Sequence, residues 1–111
     1  MKKNGIHTTF PRGEKVETTY RDGKIHGRKT FFYDNGEIRL KIYFKDGIMD
    51  GSHTGRYLNG QTKVEGHYKD GEQDGSWTWY FENGNKKYKR KFKDGKVTWG
   101  MGWNEDGSVK K

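Results

Sequence analysis

The chain has no cysteine among its 111 residues. That excludes a disulfide framework and any thiolate-held metal centre. It has a single proline, Pro11, just before the first glycine turn, where no ladder hydrogen bond is lost. Hydrophobic residues make up only 28% of the chain and mean hydropathy is −1.32, too little aliphatic material for a thick globular core. No apolar run is long enough to span a membrane. The N-terminal stretch MKKNGIHTTF has two lysines with no apolar segment behind them. It does not read as a signal peptide, and a cytoplasmic location is expected. Such a composition borders on that of disordered chains. Two features argue otherwise: aromatic residues reach 15%, and the scarce apolar residues are periodic.

The glycines set the period. Asp-Gly pairs stand at Asp22-Gly23, Asp46-Gly47, Asp70-Gly71 and Asp94-Gly95, 24 residues apart. A second series, Gly13, Gly36, Gly60, Gly84 and Gly107, recurs every 23 or 24 residues. A third, Gly27, Gly51 and Gly75, follows each of the first three Asp-Gly pairs by four residues. Twelve of the 17 glycines fall in these series, which defines an internal repeat. Hairpin turns need positive φ at their central residues, which glycine adopts freely and Asn or Asp tolerates. Asn35-Gly36, Asn59-Gly60 and Asn83-Gly84 fit that need. Asp-Gly with a second glycine, as in KDGIMDG, predicts a longer reversing loop; KDGK in the last unit predicts a two-residue hairpin.

Between the glycines the chain alternates. In Glu37–Phe44 the residues Ile38, Leu40, Ile42 and Phe44 share one side, and Glu37, Arg39, Lys41 and Tyr43 the other. That period of two predicts a strand with one drier face. The same column through the repeats gives Val16, Leu40, Val64 and Tyr88. Four residues on it gives an aromatic ladder, Tyr20, Phe44, Tyr68 and Phe92. Second strands supply Phe31 and Tyr33, then Tyr57, then Trp77, Trp79 and Phe81, then Trp99, Met101 and Trp103. A two-residue turn at KDGK would set Phe92 against Val97 and Tyr88 against Met101.

The expected fold is all-β: a single domain over 1–111, folded as an elongated, twisted, single-layer antiparallel meander. Four stacked hairpin units, 14–36, 37–60, 61–84 and 85–107, supply eight short strands. Gly23, Gly27, Gly36, Gly47, Gly51, Gly60, Gly71, Gly75, Gly84 and Gly95 form the turns. Residues 1–9 and 108–111 are expected to be loose ends. A thin repeat sheet suits this composition, because each unit buries its face mainly against its neighbours.

Tyr20-Arg-Asp-Gly-Lys-Ile-His-Gly27 followed by Tyr33-Asp-Asn-Gly36 resembles the MORN repeat (membrane occupation and recognition nexus). It is similar in particular to the bacterial variant, aromatic-x-x-Gly-x-x-x-Gly and then aromatic-x-Asn-Gly. The resemblance covers about residues 10–107; the fourth unit departs from it by lacking the second glycine. It implies a sheet of stacked hairpins and a protein-binding scaffold without catalysis. Bacterial proteins of this kind commonly carry an antitoxin label, and eukaryotic relatives are associated with protein binding and membrane-surface lipids.

No constellation of residues points to a reaction centre, and the chain is read as non-enzymatic. Asp22, Asp46, Asp70 and Asp94 support turns, since no loop gathers the several oxygens that calcium needs. His7, His26, His53 and His67 share no metal-ligand spacing. Ser52 and Ser76 have no histidine–carboxylate pair suggested by spacing. No cofactor is expected.

Binding is the better expectation. Aromatic residues are costly to expose and concentrate at interface centres. Trp77, Trp79, Tyr80, Trp99 and Trp103 are therefore candidate partner contacts, with a structural role in the sheet as the competing reading. The basic run Lys86, Lys87, Lys89, Arg90, Lys91, Lys93 has two readings. It is either a solvated edge that discourages aggregation, or, through Lys87, Lys89, Arg90 and Lys91, a cationic strip beside the tryptophans. The formal net charge of +8 favours acidic partners. A protein partner with an acidic surface, such as a toxin, is the first expectation. An anionic ligand is the second: nucleic acid, nucleotide or acidic lipid headgroup. Pairing with a second copy through a sheet edge or face stays open.

Overall fold

The computed structural model describes residues 2–111. Nine strands run in chain order through one antiparallel sheet: β1 Gly5–Thr9, β2 Val16–Arg21, β3 Lys24–Phe32, β4 Ile38–Lys45, β5 Ile48–Arg56, β6 Thr62–Lys69, β7 Glu72–Tyr80, β8 Lys86–Lys93 and β9 Lys96–Gly102. A single 3-10 turn at Pro11–Gly13 joins the first two. The body measures 55 × 35 × 17 Å, the thickness of one layer with its side chains.

All four Asp-Gly pairs make the same turn. Asp22, Asp46, Asp70 and Asp94 have φ of 49, 47, 50 and 51°, and their glycines lie between 77 and 85°. Positive φ at both central residues is the type I′ turn, whose twist matches that of the strands it joins. It links Arg21 to Lys24, Lys45 to Ile48, Lys69 to Glu72 and Lys93 to Lys96. The longer loop expected in the first three units is therefore corrected to two residues. Gly27, Gly51 and Gly75 do not turn the chain. They sit inside β3, β5 and β7 at φ of 97, 115 and 71°, where three residues of one strand oppose one of its partner. The excess is two residues, so each side chain beyond the bulge keeps its face.

The Asn-Gly loops also differ from expectation. Only the glycine has positive φ: 88° at Gly36, 87° at Gly60 and 91° at Gly84. Each loop is closed twice by backbone, as when Gly36 N–H donates to Tyr33 O at 2.9 Å and Tyr33 N–H donates to Glu37 O at 2.8 Å. The asparagine supports the loop by its side chain instead: Asn35, Asn59 and Asn83 Oδ1 each accept the N–H two residues on, at 2.9 Å. Asn59 and Asn83 Nδ2 donate to the next loop, at Glu82 O (3.0 Å) and Glu105 O (2.9 Å). Turn glycines at the other side do the same, Gly47 N–H to Ile25 O and Gly71 N–H to Met49 O, both at 2.8 Å. Both margins of the ribbon are thereby stitched unit to unit.

Among the described residues, both ends expected to be loose carry strand pairing. Residues 5–9 form β1 and pair with β2 from Gly5↔Tyr20 to Thr9↔Val16, with the His7 ring edge-on to Tyr20 at 5.3 Å. The alternation in His-Thr-Thr is too short and too polar to announce that strand. Met1 lies outside the described residues. At the other end Val109 bridges to Trp103, and Lys110 N–H donates to Gly102 O at 2.9 Å.

A single layer has no interior in the usual sense. Val16, Trp77 and Phe92 are the buried apolar side chains, at 4, 2 and 9% exposure. Ile38–Phe44 are all half-buried on both sides of β4, so the drier face expected there is a matter of chemistry and not of depth.

Candidate functional site

Cross-strand pairing sorts the side chains onto two faces, because directly opposed residues point the same way. One row runs Val16, Phe31, Leu40, Gly55, Val64, Trp79, Tyr88. Two residues along, the same face carries Ile42, His53, Gly66, Trp77 and Arg90, and then the ladder Tyr20, Phe44, Tyr68 and Phe92. This is the aromatic face. Gly27, Gly51 and Gly75 pair directly with Phe44, Tyr68 and Phe92 of that face.

Trp77 is the centre of the packing. Its indole covers the backbone of Gly66, whose missing Cβ would fall 2.1 Å from the ring. Nε1–H donates to His67 O at 2.9 Å, which satisfies the buried donor. Tyr68 meets the indole edge-on at 5.1 Å, Phe92 at 6.2 Å, and His53 lies tilted against it at 5.1 Å. Trp77 is therefore core, and its place among the expected partner contacts is corrected. Gly66, in the column where Thr18, Ile42 and Arg90 stand, is what lets the ring sink.

Beside this core the surface is open. Trp79 is half-buried, 5.9 Å from Trp77 between ring centres. The Arg90 guanidinium lies 5.6 Å from the Trp79 ring and 5.3 Å from the Tyr88 ring. Lys87 Nζ comes within 5.5 Å of Tyr88 and 5.6 Å of Phe81. Trp79, Tyr88, Arg90 and Lys87 thus form a cationic–aromatic patch, with each cation within cation–π range of a ring. Tyr88 was not among the expected contacts; its column with Val16, Leu40 and Val64 suggested only packing.

The other expected contacts lie elsewhere. Alternation along β8 sends Lys89 and Lys91 to the opposite face. Trp99, 44% exposed, joins them there with Lys91 Nζ 5.9 Å from its ring. A one-residue bulge at Thr98 shifts the register, so Tyr88 opposes Gly102 and not Met101, and Trp99 and Met101 leave the aromatic side. The single cationic strip expected beside the tryptophans is thus divided between two faces. Tyr80 is also on the far face, where its hydroxyl donates to Glu65 Oε1. Burial and that carboxylate push its pKa up to about 12. Trp103 follows β9, under Lys86 at 5.7 Å.

His53 has its pKa lowered by burial between Tyr68 and Trp77, and its Nδ1 has no partner. A base whose folded pKa is depressed binds fewer protons folded than unfolded, so stability must rise with pH. The thermal midpoint is expected to be flat well above the ordinary histidine value of 6.5 and to fall as pH drops below it. His53→Phe should flatten that slope; an unchanged slope in melts at pH 5 to 8 would place the proton uptake elsewhere.

Nine sequential strands on two repeating turns define an open β-repeat ribbon. The family model of the MORN repeat variant matches residues 25–46, 49–70 and 73–94, more than half of the chain, and the chain belongs to that family. Each matched window holds two strands around an Asn-Gly loop and ends on the Asp of the next turn. Repeats of this family are non-catalytic binding modules. A search of curated proteins gives no match. Among the described residues no helix is long and apolar enough to cross a membrane.

Proposed function

We propose that the chain is a protein-binding module that covers a partner with its aromatic face, as an inhibitor or antitoxin would. The observation that carries this reading is the Trp79–Tyr88–Arg90 patch on a sheet with no second layer over it. Tryptophan, tyrosine and arginine are the residues that dominate binding energy at interface centres. The guanidinium already lies over two rings, which lowers the ordering entropy left to lose on binding. Net charge +8 favours a partner with an acidic surface.

Trp79→Ala is expected to weaken partner binding by about 2 kcal/mol, roughly thirtyfold, while leaving the far-ultraviolet dichroism and melting curve nearly intact. Partner capture from the source cell with the wild type and with Trp79→Ala, read by mass spectrometry, tests this. Equal capture by both removes the patch from the reading. Unfolding of Trp79→Ala would make the ring core, like Trp77. The second reading, an anionic ligand, is favoured only by Lys89, Lys91 and Trp99 sharing the far face. It demands affinity that collapses with added salt, since each phosphate contact releases counterions.

A further inference from the structure

The far face carries one uninterrupted row across all nine strands: Thr8, Glu17, Thr30, Lys41, Thr54, Glu65, Thr78, Lys89, Met101, each directly opposite the next. Threonines occupy odd strands up to β7. The even strands carry charge that changes sign from one unit to the next: Glu17, Lys41, Glu65, Lys89. Successive charges are two strands apart, about 9.5 Å. No ion pair joins any two of them among the described residues; Glu17 is paired with Lys15, just before its strand, at 3.7 Å, and Glu65 accepts from Tyr80. The alternation therefore makes no direct ion pair within one chain among the described residues.

It has a use between two. An alternating row of four charges becomes its own complement when reversed. Thr54 lies on β5, the middle strand. A two-fold axis along the strands through Thr54 exchanges β2 with β8 and β4 with β6. Every charge then meets its opposite: Glu17 meets Lys89 of the second copy, and Lys41 meets Glu65 of the second copy, each contact made twice. Thr30 and Thr78, 4 and 7% exposed, lie sunk between the flanking charged side chains and do not reach across, while Thr54, half-buried, meets itself. At the margins Thr8 meets Met101 of the second copy. Ile6, which is 61% exposed, meets Trp99 of the second copy, which is 44% exposed. Both lie two residues before their row members on strands of the same direction. The other in-plane axis, across the strands, lays every strand on its own copy and sets Glu17 on Glu17 and Lys41 on Lys41. Charge selects the first arrangement and rejects the second.

We infer that the threonine–charge face is an isologous interface between two copies of this chain, centred on Thr54, with Lys41 and Glu65 as its inner ion pairs. Packed twisted sheets cross at about 30°, so the pairs nearest the axis are the closest and the Glu17–Lys89 pairs looser. Such a dimer turns both aromatic faces outward. A partner with two sites would then be held by two modules at once.

The chain has no cysteine, which makes the test clean. Thr54→Cys places a single thiol on the axis. Under mild oxidant in the tens of micromolar it should convert mostly to a covalent dimer of twice the 13.0 kDa chain mass. Lys41→Cys alone should stay monomeric, yet cross-link when mixed with Glu65→Cys, since neither position is buried in the single chain. Equal cross-linking of Thr54→Cys and Lys41→Cys, each alone, would overturn the proposed axis. Independently, sedimentation should show the wild type as a dimer and Lys41→Glu, folded by dichroism, as a monomer. Adding Glu65→Lys to Lys41→Glu should restore the dimer. A wild type that stays monomeric at 100 μM, or a Lys41→Glu variant that still dimerises, would overturn the interface. A folded double variant that stays monomeric would overturn the pairing.

Discussion

Gly66→Ala is expected to cost about 3 kcal/mol of stability and roughly 15 °C in melting temperature. A methyl there would lie 2.1, 2.4 and 2.6 Å from Cδ2, Cε2 and Cε3 of Trp77. Real contacts are never so short, and the indole cannot slide aside: Tyr68, Phe92 and His53 hold it, and Nε1 is fixed to His67 O. The ring must leave, and with it goes the most deeply buried apolar side chain of a sheet that has few. Truncating a buried tryptophan costs about 3–5 kcal/mol in ordinary cores, which sets the scale. Thermal melts by circular dichroism give the number, and a double-mutant cycle with Trp77→Leu gives its cause. In the Trp77→Leu background the same Gly66→Ala change should cost under about 1 kcal/mol. Equal costs in both backgrounds would detach the effect from the ring.

Gly51→Ala comes next, at about 2–3 kcal/mol. Its φ of 115° lies where side chains with a Cβ rarely go, and the added carbon would stand 3.0 Å from Tyr43 Cβ. Strain and crowding act together at the bulge that keeps β5 in phase with β4. Gly100→Ala is the matched control. It adds the same atom to a strand with no positive φ, at an ordinary 3.5 Å from Arg90 Cγ, and should shift stability by no more than about 0.5 kcal/mol. Urea titrations of the two variants side by side decide the matter. Similar midpoints would mean that the bulge tolerates an ordinary residue.

Much of this architecture is legible in the sequence, because its turns ask for rare residues. Asp-Gly at a spacing of 24 fixes where the chain reverses, and alternation between those points fixes which residues share a face. What the glycines cannot announce is which kind of positive-φ position they serve. Gly51 in a bulge and Gly47 in a turn make the same demand on the residue, so KDGIMDG reads as one long loop until the pairing of Lys45 with Ile48 is known. The candidate site shows the same limit. Alternation along β8 separates Arg90 from Lys89 and Lys91, whereas composition alone shows only a single basic run. The depth of Trp77 depends on Gly66, on a different strand and outside the three glycine series. An out-of-series glycine within a strand marks a candidate for such an approach, as at Gly66 and Gly55, but Gly100 and Gly102 carry the same mark with only ordinary contacts, so the pairing has to be known to tell them apart.

Strand order equal to chain order has a consequence for how the molecule is made. Every strand finds its partners among the residues just before and just after it, so loop closure never spans more than a few dozen residues. Low contact order of this kind is unusual for an all-β protein and favours rapid folding. Assembly is able to proceed vectorially, one hairpin zipping onto the last as the polypeptide lengthens. Whole cassettes of one period are in principle added or removed without disturbing the register of the remainder.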